Sequence, residues 1–362
     1  MSIERLARRL IERRPRHRVV SLYLDLDPSE QFATPGARES QVHSLIDGAA
    51  REVDADDSLD HENLVAVRED LERLRDYLTS ADPPFQGARA LAVFASGRDE
   101  LFEAIQIHQP VAGRVVIGDA PYITPLVERA MQRSWCVALV SEQNARIFGG
   151  TPAALEERER IGLRERFEEE DSHLRDVADR LQHRWLNERF DLLAVGGEGE
   201  AAPRFERLLS QDLRQRLVDR RVAADINSAG DAQLRDAVTE VVEEEEREHE
   251  RSALDRLAAG LGAGGRAAGG PEATLEALNE RRVEVLLLQP GLTLAGGRCP
   301  RDGLLTLERS GPCPADGTGL EEVEDLGEAS VEAGLLQDAE VLFVERYPDL
   351  GPHQGMAALL RF

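Results

Sequence analysis

The residues best suited to chemistry lie towards the C-terminus, where Cys299-Pro300-Arg301-Asp302-Gly303 and Cys313-Pro314-Ala315-Asp316-Gly317 repeat the pattern Cys-Pro-x-Asp-Gly. A zinc ribbon takes its thiolates from two such knuckles, and here Asp stands where the second Cys of each would be. Cys299, Asp302, Cys313 and Asp316 thus offer two thiolates and two carboxylates. That set can ligate zinc tetrahedrally, although hard oxygen donors weaken a structural site. The competing reading is a ribbon that has lost its metal and keeps its Pro and Gly for two tight turns. No cofactor is expected, with zinc as the one ion these residues could take. Cys136 sits in the apolar run Trp135-Cys136-Val137-Ala138-Leu139-Val140 and reads as core, not nucleophile.

Arginine supplies the second kind of chemistry. The chain has no Lys, so every basic side chain apart from His is a guanidinium, the planar fork suited to phosphate and carboxylate. Two stretches concentrate it. Residues 151–167 (TPAALEERERIGLRERF) carry Arg158, Arg160, Arg164 and Arg166, which could clamp RNA phosphate or a protein carboxylate. Residues 204–221 hold six Arg against three acids, namely Arg204, Arg207, Arg214, Arg216, Arg220 and Arg221. If the chain binds RNA, these and the Arg-rich N-terminus are the local basic surfaces to do it. Glu157, Glu159 and Glu165 are conceivable general bases without an evident partner, and charge runs of this kind commonly form a solvated face.

Other patterns carry less. Gly196-Gly197-Glu198-Gly199 follows an apolar run but misses the Gly-x-Gly-x-x-Gly spacing, and its acids would repel phosphate, so a tight strand-to-helix turn explains it. His173, His183 and His249 lie among acids on helical stretches, and Val242–Glu250 reads as a solvated helix face.

The elements that must position these groups follow from periodicity. Val19–Leu26 reads as a buried strand, Glu39–Val53 and His61–Thr79 as amphipathic helices, and Ala88–Ala95, Leu101–Ile107 and Val115–Ile117 as strands. A second block opens with a hairpin, Trp135–Val140 and Ala145–Gly149 across Ser141-Glu142-Gln143-Asn144. It continues with a helix over 165–185, a strand at Phe190–Val195, a helix over 203–218, a short strand at 222–226 and a long acidic helix over 231–258. Six Gly in residues 260–270 predict a flexible linker or loop. The third block has a helix over 272–280, the strand Val283–Leu288, the knuckles, a helix near 322–334 and strands at Ala339–Val344 and Met356–Phe362. The expected architecture is α/β in three domains, 1–133, 134–270 and 271–362, a number that suits 362 residues.

Composition limits the function. Hydrophobic residues make up 41% and charged residues 31%, enough for packed cores. No apolar run reaches membrane length, the first twenty residues carry seven Arg and no apolar segment, and three Cys cannot make a disulfide framework. A cytoplasmic protein is expected. A net charge of −25 argues against generic polyanion binding, so neither DNA nor a membrane is an expected partner, and any RNA contact must be a local patch.

Several strings, taken in order, resemble the bacterial relatives of the archaeal and eukaryotic class-one release factors and Pelota, including Vms1-like peptidyl-tRNA hydrolases and Balon-like hibernation factors. VVSLYLDLDP, ALAVFASGRDELFEAIQIHQPV and PYITPLVE resemble the bacterial N-domain. VALVSEQNARIFGG and RFEEEDSHLRDVADRLQHRW resemble the opening hairpin and long helix of the central, RNase-H-like domain. RRVEVLLLQPG, the two knuckles and GMAALLRF resemble the C-terminal α/β domain. The resemblance implies a translation factor that enters the ribosomal A site and contacts ribosomal RNA. It further implies a possible tRNA or elongation-factor GTPase partner, and a monomer. Hydrolytic members carry a Gln-bearing loop between hairpin and helix, whereas residues 151–167 hold one Gly, Gly162, and no Gln. The expectation is therefore hibernation or rescue by occupancy without peptidyl-tRNA hydrolysis. The alternatives are a hydrolase with a divergent loop and an acidic protein-binding module of stress physiology.

Overall fold

The computed structural model describes residues 3–13, 15–26, 35–55, 59–80, 88–107, 111–130, 132–152, 154–162, 171–197, 199–224, 226–227, 229–263, 265–347 and 350–362. Two compact units result, residues 1–131 with 256–362 and residues 132–255.

The first unit starts with helix α1 (Ile3–Glu12) and strand β1 (Val19–Asp25), followed by α2 (Pro35–Ala55), α3 (His61–Leu78), β2 (Ala90–Ser96), β3 (Leu101–Ile107), β4 (Arg114–Gly118) and α4 (Thr124–Ala130). The strands form an antiparallel sheet of order β3-β2-β1-β4. Because side chains alternate along a strand, β1 splits its apolar residues between two cores. Val20, Leu22 and Leu24 meet α2 and α3 through Val42, Ile46, Leu71 and Leu74, while Val19 and Tyr23 face Ile123 and Leu126. Burial on both faces explains why the strand reads as a continuous apolar run.

The second unit contains β5 (Trp135–Val140), β6 (Asn144–Thr151), β7 (Ala154–Gly162), α5 (Ser172–Glu188), β8 (Leu192–Gly196), α6 (Ala201–Leu208), α7 (Gln211–Arg214) and most of α8 (Asp231–Ala263). Its sheet has the order β7-β6-β5-β8, with β8 parallel to β5 and the other pairs antiparallel. Leu174, Val177, Leu181 and Trp185 of α5 and Phe205 of α6 cover one face; Leu234, Val238 and Val242 of α8 cover the other. This is the mixed sheet between helices that the alternation of elements predicts. The expected helix over 203–218 is instead two short helices, because Leu209 turns extended and the Ser210 hydroxyl caps α7 by accepting from the Leu213 N–H. Val222 makes a single bridge to Gly196 where a strand over 222–226 was expected. At Gly197, with φ of 147°, a Cβ would collide with the Val140 carbonyl oxygen, so this glycine serves close backbone approach.

The chain re-enters the first unit through the end of α8 and then forms β9 (Ala267–Gly269), α9 (Pro271–Asn279), β10 (Val283–Leu288), β11 (Gly296–Arg298), β12 (Leu305–Thr306), β13 (Glu321–Val323), α10 (Leu326–Leu336), β14 (Glu340–Phe343) and β15 (Met356–Leu360). One sheet has the order β14-β10-β15-β9 and a small one the order β12-β11-β13. The glycine-rich stretch expected to be a linker is thus used in regular structure: α8 runs to Ala263, and β9 gains a ladder on β15. Ala and Leu between the glycines carry that helix, and Gly270 with Pro271 starts α9. Asp325 caps α10 by accepting from the Gly327 and Glu328 N–H groups, which places that helix four residues later than its periodicity suggests. The β1–β4 and β10–β15 sheets lie in one unit, and Leu275, Leu286, Leu326, Leu335 and Met356 share a core with Tyr23, Phe94 and Ile123. Among the described residues no helix is long and apolar enough to cross a membrane.

Candidate functional site

Four sets of groups stand out, beginning with the β6–β7 hairpin and its arginines. Residues expected to form a charged loop are mostly strand, because Leu155 to Gly162 pair with β6. Arg146 of β6, a buried guanidinium, donates from Nε to Glu157 at 3.0 Å and from Nη1 to Asp231 at 2.9 Å. Arg160 donates from Nη2 to Glu157 at 2.9 Å and to Asp231 at 2.8 Å. Burial opposes the charge on Glu157, but hydrogen bonds from Arg160 and Arg146 outweigh it and hold the carboxyl below its ordinary range. Asp231 is held low by its hydrogen bond from Arg160 and then by that from Arg146. Glu159 receives Arg180 Nη1 at 2.7 Å and Arg184 at 3.5 Å. A general base must be free to take a proton near neutral pH, and these two glutamates are ion-paired instead. Arg164, Glu165 and Arg166 lie outside the described residues.

Gly162 and Asp171, the described residues on either side of 163–170, are both linked to the 141–144 turn, the second through Arg204. Gly162 pairs with Asn144, and beyond the segment Asp171 receives Arg204 Nε at 2.8 Å while the same guanidinium reaches Glu142 at 2.8 Å. His173, buried at the start of α5, lies against the Asn144 backbone; burial depresses its pKa and keeps the ring neutral at pH 7. Asn144 Nδ2 donates to Asn227 Oδ1 at 3.1 Å, and Gln143 is exposed at the tip of the turn. This cluster of Ser141, Gln143, Asn144, His173 and Asn227 escapes sequence reasoning because its members come from three distant segments. The only local signal is the polar turn in an apolar hairpin.

The arginines of 204–221 do not form one free patch. Arg204 is tied as above, and Arg221 grips Glu206 with two bonds of 2.7 Å. Arg214 donates to the carbonyls of Leu209 at 2.8 Å and Arg207 at 2.9 Å, closing the end of α6. Arg216 and Arg189 both lie on the Trp185 ring, at 5.2 and 4.0 Å from its centroid. Arg220 stands 3.9 Å from Glu244, Arg158 is half-exposed beside Glu156 at 3.3 Å, and Arg207 is exposed at the last turn of α6.

The knuckles do converge. Cys299 and Cys313 are buried and Asp302 is exposed, with the ligand atoms of these three all within 4.8 Å of one another. Asp316 Oδ1 lies 3.9 Å from Cys299 Sγ. Each knuckle closes in the same way: Gly303 N–H donates to the Cys299 carbonyl at 2.9 Å and Gly317 N–H to that of Cys313 at 2.8 Å, both glycines having positive φ. The strands bearing the knuckles approach closely at Gly296 and Gly297, where a Cβ would strike the Thr306 and Glu308 carbonyl oxygens. Cys136 is buried in the β5 core, as its apolar setting predicts.

Residues 163–263 match the sequence model of bacterial archaeo-eukaryotic release factor family 2. Over this stretch, under a third of the chain, the sequence is similar to that family. The matched segment runs from the end of the hairpin through α5, β8, α6 and α7 into α8. No curated protein matches the chain. Among solved structures, an archaeal translation termination factor is 20% identical with a TM-score of 0.28, covering 100% of this chain and 99% of that one. Pelota of Archaeoglobus fulgidus is 20% identical with a TM-score of 0.30, covering 75% and 79%. Archaeal Pelota from a ribosome-bound assembly is 15% identical with a TM-score of 0.42, covering 100% and 94%.

Proposed function

We propose that this protein is a cytoplasmic translation factor that binds the ribosomal A site and acts by occupancy, in hibernation or rescue, without hydrolysing peptidyl-tRNA. The observation that carries the reading is the state of the hairpin inside a release-factor-like unit. Of the stretch in which a hydrolytic member keeps a flexible Gln-bearing loop, the described residues 154–162 are a paired strand whose Glu157 and Glu159 are held by Arg146, Arg160, Arg180 and Arg184. Residues 151–167 contain no Gln to orient water. The family match over 163–263 supports a role on the ribosome.

Contact with ribosomal RNA would fall to Arg158, Arg207 and Arg220, which are exposed and not tied by a short carboxylate pair or by bonds to backbone carbonyls at a helix end. Few phosphate contacts and a net charge of −25 predict a shallow salt dependence, with a slope of log K against log salt of about −2 to −3. The test is ribosome binding by R158E/R207E/R220E as salt is varied. Binding should weaken by at least about tenfold at low salt, and the slope should flatten. Unchanged binding and slope would remove these residues from the interface. A tRNA or an elongation-factor GTPase is a further proposed partner.

One observation favours the hydrolase as a second reading. Gln143 is exposed in the turn whose Asn144 pairs with Gly162, so a water-orienting amide could come from outside the usual loop. Release that vanishes in Q143A would establish it.

A further inference from the structure

We propose that Cys299, Asp302, Cys313 and Asp316 form a zinc site with two sulfur and two oxygen ligands, open to exchange on its carboxylate side. The argument starts from the doubled motif. Each knuckle supplies one buried Cys from its first position and one Asp from its fourth, and folding brings the ligand atoms of Cys299, Asp302 and Cys313 within 4.8 Å of each other. Asp316 lies outside that mutual set, with Oδ1 3.9 Å from Cys299 Sγ, and is assigned as the fourth ligand.

The backbone holds both Asp in the same way. Leu304 N–H donates to Asp302 Oδ1 at 3.0 Å, and Thr318 N–H donates to Asp316 Oδ1 at 2.9 Å, so each carboxylate is oriented by the amide two residues on. Ala315 N–H points at Cys313 Sγ at 3.4 Å. Arg301 lies 3.4 Å from Asp316 Oδ2. Outer contacts of this kind fix the direction of a metal ligand. What points to an ion is the convergence of two buried thiols and a carboxylate from separate knuckles. Zinc, which accepts sulfur and oxygen donors in a tetrahedron, suits the set better than calcium or magnesium, which prefer oxygen alone.

The site is not closed like a four-thiolate ribbon. A cavity of about 610 Å³ is lined by Cys299, Pro300, Arg301, Asp302 and Gly303 on one side and by Ala329, Glu332 and Ala333 of α10 on another. Asp302 is exposed, so the oxygen side of the centre faces solvent. A competing chelator therefore has a route to the ion, and the harder donors make it easier to remove.

The experiment uses the full chain, stripped by chelator, checked for retained fold by circular dichroism, and titrated with cobalt(II) and then zinc. Expected is one cobalt per chain, with thiolate charge-transfer absorption in the near ultraviolet and the intense visible bands of a tetrahedral ion, bleached by zinc. D302N should weaken binding by at least about tenfold. D302C/D316C, the all-thiolate form, should bind more tightly and release zinc to a chelator at least about tenfold more slowly than the natural chain. C299S/C313S should lose the charge-transfer bands. A folded natural chain that takes up neither ion, while D302C/D316C takes up one, overturns the proposal. So does cobalt binding that lacks thiolate bands or survives C299S/C313S.

Discussion

Glu328 offers the sharpest test of how the first unit is held together. Its carboxylate on α10 accepts the Ile123 N–H at 2.6 Å and the Thr124 N–H at 3.1 Å, and it also bonds the Thr124 hydroxyl. It therefore caps α4 from the far end of the sequence. Burial, reinforced by the charge of Glu332, pushes its pKa well above the ordinary range, and the Ile123 and Thr124 N–H groups only partly counter this. The neutral acid fits the same place: its carbonyl oxygen accepts an N–H and its hydroxyl can donate to Thr124. Glutamine has the same shape and the same pattern of donor and acceptor. E328A leaves two N–H groups and a hydroxyl without that partner, at about 1–3 kcal/mol for each orphaned buried group. A cavity of about 530 Å³ beside Glu328 can admit water and soften the loss, so about 2–4 kcal/mol is expected. For a unit of this size that is between about 4 and 16 °C in melting temperature. The pH dependence has a definite sign. A folded-state pKa above the unfolded value means that the contribution is fully present below the unfolded pKa and lost as pH rises through the folded one. The difference in melting temperature between E328Q and wild type should thus grow in favour of E328Q from pH 5 to pH 8.5, while E328A is destabilised throughout. Calorimetry across that range is the assay. E328Q falling as far as E328A at pH 8.5, with no pH-dependent difference, would refute the reasoning.

The second unit should respond to pH in the opposite direction. Glu157 and Asp231 are held below their ordinary values, so their contribution is present above the unfolded pKa and lost as pH falls through the folded one. Melting followed in E157Q should show a flatter acid limb below about pH 4 than wild type, at lower stability near neutrality. Gly197→Ala should cost at least about 2 kcal/mol, read as a shift in denaturation midpoint, because φ of 147° and the Val140 carbonyl both exclude a Cβ. Gly199→Ala, which has open space, isolates the strain of φ alone and should cost less.

Much of the fold was legible from periodicity. The apolar runs at Val19, Ala90, Trp135 and Val283 are strands with nearly all residues buried, and they are long and β-branched enough to read without ambiguity. What periodicity could not show came from tertiary context. The glycines at 260–270 suggested a linker, but β15 offers an edge on which β9 forms a ladder, and backbone hydrogen bonding outweighs local flexibility. Residues 151–167 suggest a charged loop because Glu and Arg alternate there; the described part, β7, lies on a half-exposed edge, its pairing depends on β6, and its charge pairs reach Asp231 and Arg180. The knuckle residues were legible because a doubled short motif needs no long-range information. The arginines of 204–221 were visible as a cluster, yet which are engaged was set by Glu206, Asp171 and backbone carbonyls that only folding brings near.

The central claim is occupancy of the ribosome without peptide release. The direct measurement is co-sedimentation of the purified protein with vacant and with peptidyl-tRNA-bearing ribosomes, with released peptide counted in the same tubes. Binding in the pellet is expected, with no peptide release above the ribosome-only control. Release that disappears in Q143A would contradict it in favour of the hydrolase, and absence from both pellets would contradict the translational role itself.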